Sequence, residues 1–183
     1  MKDIYKFHEI LNDLMDYFIL GDPDCLLRYK QDNNLPDDLL TEFTTNETGD
    51  KVVEDGIIVP LAGVENYPYT IYFNLSGTTP ELLKEENELQ VQQEGYCLKV
   101  EHEAIYLFTM PYLRKFTEDR VEDLKQFRTA TIKLANGWYS VSVLGGLTVQ
   151  PSGLEPTFEF VIKPSIDKPE SKANIAYSYK IKE

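Results

Sequence analysis

Cys97, Glu101, His102 and Glu103 bring a thiol, an imidazole and two carboxylates into one short stretch, the side-chain types that nucleophilic catalysis uses as nucleophile, base and orienting group. Spacing works against that chemistry. A strand over residues 96–101 sets His102 five residues beyond Cys97, roughly 16 Å away at about 3.3 Å per residue. Cys97 therefore reads as an inert packing thiol and His102 as a turn residue, so no catalytic residue is assigned. The enzyme that these side chains would best support is a metal-independent hydrolase using carboxylates near His102, which demands a cleft. With 31 acidic residues in the chain, carboxylate pairs such as Glu101 and Glu103, or Glu159 with another, arise without any role in acid–base chemistry.

Metal and phosphate chemistry find even less support. His8 has no histidine or cysteine three or four residues away, and His102 between two glutamates is too sparse for zinc. The runs Asp22-Pro23-Asp24, Asp37-Asp38 and Glu85-Glu86-Asn87-Glu88 lack the ligand order of an EF-hand loop. Gly145-Gly146 follows a strand without a Gly-Lys phosphate loop behind it, and reads as a bend or bulge. No metal and no cofactor are expected.

The elements that would position these residues are mostly strands. Residues 130–143 alternate in hydropathy about Asn136-Gly137, which predicts a type I′ hairpin pairing Leu134 with Tyr139, Ile132 with Val141 and Ala130 with Val143. Ile132, Leu134, Tyr139, Val141 and Val143 then face one core. Further strands are expected over 56–61, 69–74, 96–101, 104–109 and 156–162, with 96–101 and 104–109 joined tightly around His102-Glu103. Phe7, Ile10, Leu11, Leu14 and Phe18 recur at helical spacing, predicting an N-terminal helix over 5–20 that Gly21-Asp22-Pro23-Asp24 interrupts. Shorter helices are expected over 36–43, with Leu39, Leu40 and Phe43 as its apolar edge, and over 81–88. A further helix begins at Thr117-Glu118-Asp119 with Val121, Leu124 and Phe127 on one side, and 44–50 reads as an exposed loop. The sum is an α+β fold with an antiparallel, sandwich-like sheet core and peripheral helices, the alternative being an all-β sandwich. A single domain over 1–183 suits this length, with 164–183 as a linker followed by an edge strand or a mobile tail.

Charge is unevenly placed. The net charge of −13 divides into −9 over residues 1–60, −6 over 61–103 and +2 over 104–183. Such a field opposes nucleic acid and favours a basic protein as partner. No apolar run is long enough to span a bilayer, no hydrophobic leader is evident, and two cysteines make no disulfide framework, so a cytoplasmic protein with free thiols is expected. Asp22, Asp24, Asp37 and Asp38 are the candidate acidic contacts, and Tyr67, Tyr69, Tyr72 and Trp138 the candidate aromatic ones. In its acidity and its lack of a catalytic set the chain resembles small bacterial immunity and nuclease-inhibitor proteins, a likeness of style that carries no site residues onto it. The resulting expectation is a small acidic domain that binds, and masks, a basic partner. A carboxylate-dependent hydrolase and a structural or oligomer-forming protein stand as alternatives, and the oligomeric state is open.

Overall fold

A computed structural model describes residues 3–11, 16–127 and 130–183, with the side chains of Glu9 and Phe127 left aside. Two sheets face each other. The larger has the order β1 (Ile4–Leu11), β4 (Pro68–Asn74), β9 (Gly153–Ser165), β8 (Gly137–Gln150), β5 (Glu88–Val100). The smaller has the order β3 (Ile58–Ala62), β2 (Tyr17–Gly21), β6 (Ala104–Thr109), β7 (Ala130–Lys133). All pairings in both sheets are antiparallel except β4 with β9, which is parallel. Helices α1 (Pro23–Asp32), α2 (Leu39–Thr45), α3 (Thr48–Glu54) and α4 (Glu118–Phe127) lie at the periphery. This is the α+β sandwich expected from the pattern of strands and helices. Its core stacks the inward faces of both sheets, with Phe18, Tyr69, Phe158 and Tyr179 meeting edge-on or tilted at centroid distances of 5.0 to 6.2 Å.

The expected hairpin at Asn136-Gly137 does not form. β7 pairs with β6, Ile132 opposite Ile105, whereas β8 pairs with β5 and β9, Val141 lying opposite Tyr96 and Ile162. Residues 134–136 are thus a corner that carries the chain from one sheet to the other. Gly137 sits at φ +149, and Asn136 serves the corner by accepting the Glu103 amide on Oδ1 at 2.8 Å. The inward face was nonetheless read correctly: Ile132, Leu134, Tyr139, Val141 and Val143 are all buried, because a corner that crosses a sandwich keeps both arms pointing at the same core. His102-Glu103 corrects in the same way. β5 and β6 belong to different sheets, so this join is a second crossing, bolted to the first by the Leu134 amide donating to the Glu103 carbonyl at 3.0 Å.

Residues 5–20 form no single helix: Tyr17–Gly21 is β2, and Ile4–Leu11 is a strand that pairs Tyr5 with Phe73, Phe7 with Ile71 and Ile10 with Tyr69. The register shifts between Phe7 and Ile10. That irregularity returns Ile10 to the inner face three residues after Phe7 and so imitates helical spacing. Leu14, part of the same reading, lies outside the described residues. Asp22-Pro23 starts α1 where an interruption was expected, and Thr48–Glu54 is helical where part of a loop was expected. Over 81–88 only a 3-10 turn, Glu81–Leu83, forms. Its first amides are claimed from a distance, for the buried Glu159 carboxylate accepts Glu81 N and Leu82 N at 3.0 Å and Asn74 Nδ2 at 2.9 Å.

Gly145 and Gly146 stand opposite the shift in β5 between Leu89 and Val91. A Cβ on Gly146 would lie 1.9 Å from the Glu88 carbonyl oxygen, and backbone on both sides leaves nothing to rotate away. Gly146→Ala is expected to lower the unfolding free energy by about 2–3 kcal/mol, read as an earlier urea midpoint at unchanged slope.

The C-terminal segment is pinned between the two sheets at their β5 and β3 edges. Lys172 N and Ala173 N donate to the Gly95 carbonyl, Tyr179 N donates to Ala62 O at 2.8 Å, and Ser178 bridges Ala62 in parallel. Tyr179 and Ile181 are fully buried.

Candidate functional site

Asp22 is where most of the nominated chemistry meets. Its Oδ1 caps α1 through Asp24 N and Cys25 N at 3.1 Å, its Oδ2 accepts Glu101 N and His102 N at 2.9 Å, and His102 Nδ1 lies 3.0 Å from Oδ2. A carboxylate only accepts, so the proton of that contact sits on Nδ1. Asp22, Asp24 and His102 approach closely enough to hold an ion, but backbone amides already use both oxygens of Asp22 and Lys125 holds Asp24 at 2.6 Å. The arrangement is a clasp that fastens α1 to the crossing between β5 and β6.

Neither cysteine completes it as a nucleophile. Cys25 is the adjacent thiol, and burial, reinforced by the Glu101 and Asp22 carboxylates, pushes it up to about 12. Cys97 is also raised by burial, and its Sγ lies 3.5 Å from Glu54 O. Both thiols are free and buried. Glu101 is no better as a proton donor: burial works against its charge, but Lys99 at 2.5 Å and Arg28 at 2.9 Å outweigh it and hold the carboxyl below its ordinary range. Because the folded Cys25 value stands above the unfolded one, its contribution to stability is complete below about pH 9 and fades as pH rises toward 12. Alkylation by iodoacetamide at pH 8.5 should accordingly be far slower in the native protein than in urea; equal rates would contradict this burial.

The other nominated residues do not gather into one surface. Asp38 is exposed but caps α2, its carboxyl lowered first by the Thr41 amide and then by the Thr41 hydroxyl. Asp37 is ion-paired with Lys30. Tyr69 is fully buried, with its hydroxyl on Glu65 O at 2.8 Å, and Tyr67 donates to Glu65 Oε2 at 2.7 Å. Tyr72 belongs to the opposite face of its strand, where its hydroxyl accepts from Gln150 and Lys6 lies over the ring. Alternation along a strand splits 69 from 72, so the expected tyrosine patch does not exist as a surface. Trp138 is half-buried with the ammonium groups of Lys99 and Lys168 each 5.8 Å from its ring centroid, a poor seat for a cationic partner.

The acidic surface with concave shape lies elsewhere, above the smaller sheet. The outer residues of β2 and β3, Tyr17, Ile19, Ile58 and Pro60, floor a cleft of about 560 Å³ walled by Leu40 and Phe43 of α2, by Gly49, Asp50, Val53 and Glu54 of α3, by Met110 and Leu113, and by the pinned segment at Ala173 to Ala176. Asp50 and Glu54 stand exposed on its rim. Residues 22–55, which carry α1 to α3, hold ten carboxylates against three cationic side chains. Leu40 and Phe43 were legible as part of an apolar edge. Asp50 falls in the stretch 44–50 expected as loop, and no local pattern points to Glu54.

A two-sheet α+β sandwich with an acid-rimmed, apolar-floored cleft is the class that fold and site define. No protein-family model matches the chain, and no curated protein matches it. Among solved structures it is similar to the protein described as crocagin biosynthetic gene J, at 11% identity and a TM-score of 0.52, over 88% of this chain and 97% of that one. At that identity the likeness concerns the fold alone. Among the described residues no helix is long and apolar enough to cross a membrane.

Proposed function

We propose that this chain is a binding protein that masks a basic protein partner, in the manner of an inhibitor or immunity protein, and that the cleft under α2 and α3 receives an apolar side chain flanked by lysine or arginine. The observation that carries the reading is the pairing of an apolar floor with the exposed carboxylates of Asp50 and Glu54, set in the most acidic part of the chain. Among the described residues neither carboxylate has a cationic partner, unlike Asp24 and Asp37. A long-range negative field accelerates encounter with a cation, and burial of an apolar anchor then slows escape. The free thiols fit residence in the cytoplasm. A carboxylate-dependent hydrolase gains no comparable support, since His102 and Glu101 are both tied to structural partners.

A leucine–lysine amphipathic peptide of about 14 residues, roughly four helical turns, provides the test by fluorescence anisotropy. Asp50→Asn with Glu54→Gln should weaken binding about tenfold at low salt and flatten its salt dependence. Unchanged affinity and unchanged salt slope would remove this cleft from the interface.

A further inference from the structure

The two edges of the sandwich are finished differently. At β5 and β3 the C-terminal segment bridges the sheets. At β1 and β7 the sheets part instead around a cleft of about 1030 Å³, larger than the cleft under α2 and α3. Tyr5 of β1, Tyr106 of β6 and Tyr139 of β8 supply its walls, with Ile132, Leu134 and Ile162 reaching it from the core. Its polar lining consists of Asp3, His102, Glu103, Thr131 and Lys133. The volume suits a small organic molecule, and lining of this kind, mostly apolar with a few polar groups, is what ligand sites share.

The rim selects a charge. Asp3 and Glu103 face one cation, Lys133. His102 turns its Nδ1 to Asp22 at 3.0 Å, which leaves only the other ring nitrogen toward the cleft. Two carboxylates therefore stand against a single ammonium, tyrosine rings favour a cation over their faces, and a whole-chain charge of −13 concentrates cations at the surface. We infer that this mouth between β1 and β7 is a second binding site, for a small aromatic molecule bearing a protonated amine. The site is separate from the cleft under α2 and α3, so it stands or falls independently of the partner proposed there.

The probe is 2-phenylethylamine, titrated while backbone and tyrosine resonances are followed, beside 3-phenylpropanoate, which keeps the ring and reverses the charge. Saturable shifts at Tyr106, Thr131, Lys133 and Tyr139 are expected for the amine, with the carboxylate binding at least about tenfold more weakly. Glu103→Gln should lower amine affinity roughly two- to fivefold, the range of an exposed ion pair. Thr131→Trp, at an exposed edge position, should fill the mouth and abolish the shifts while the circular dichroism spectrum is retained. Equal binding of amine and carboxylate, the absence of saturation at millimolar concentration, or shifts confined to α2 and α3 would each overturn the assignment.

Discussion

Tyr179→Ala is expected to destabilise the protein by about 3–5 kcal/mol, the range for removing a large buried aromatic side chain. The ring is fully buried, packed 5.0 Å from Tyr177 and 6.1 Å from Phe158. Its hydroxyl lies 2.7 Å from that of Tyr96, in a setting where burial raises both phenols and keeps them neutral. Two conservative variants separate packing from hydrogen bonding. Tyr179→Phe should cost about 1–3 kcal/mol, because it leaves the Tyr96 hydroxyl buried without its partner. Tyr96→Phe combined with Tyr179→Phe should recover part of that loss, since neither hydroxyl then remains to be satisfied. Urea unfolding of the wild type, Tyr179→Ala, both single Phe variants and the double Phe variant measures all of this. A double variant less stable than the sum of its singles would reject the pairing. The change has a functional side too, because Tyr179 anchors the segment whose Ala173 to Ala176 wall the cleft under α3.

Asp22→Ala should cost a similar amount, about 3–5 kcal/mol, through a different mechanism. Loss of the α1 cap accounts for about 1 kcal/mol. The amides of Glu101 and His102 then lose their acceptor where the chain crosses between sheets, at about 1–2 kcal/mol each if water cannot replace it. Amide exchange should accelerate at residues 101 and 102 together with 24 and 25, four positions joined by nothing in sequence except this carboxylate. Asp24→Ala is the control. Its ion pair with Lys125 is half-exposed and should contribute no more than about 1 kcal/mol. If the two variants are equally stable, the clasp is not what holds the crossing.

How far the fold was legible in the sequence depends on whether a local signal had one interpretation or two. Ala104–Thr109 and Pro68–Asn74 are runs of aromatic and β-branched residues with few helical alternatives, and both are strands close to the expected limits. Asn136-Gly137 marked a change of chain direction, but such residues cannot report whether the strand beyond them returns to its neighbour or crosses to another sheet. That choice is made by β6 and β9, the partners that β7 and β8 actually find. At the N-terminus a shift in pairing imitated a helix, and Asp22-Pro23 looked like a break when it was a cap followed by a proline at the first helical turn. The candidate contacts suffered for the same reason. Acidic residues at Asp22 and Asp38 were visible as charge, whereas their use as helix caps is set by backbone geometry. The cleft joins β2, α2, α3, Met110 and the segment near residue 175, and no spacing in the chain announces such a meeting.

Chemical-shift mapping with the leucine–lysine peptide tests the central claim most directly. The account predicts saturable shifts at Leu40, Phe43, Asp50, Val53, Met110 and Ile175, lost in the variant that combines Asp50→Asn with Glu54→Gln. Shifts that spare these residues, or that persist unchanged in that variant, would contradict it.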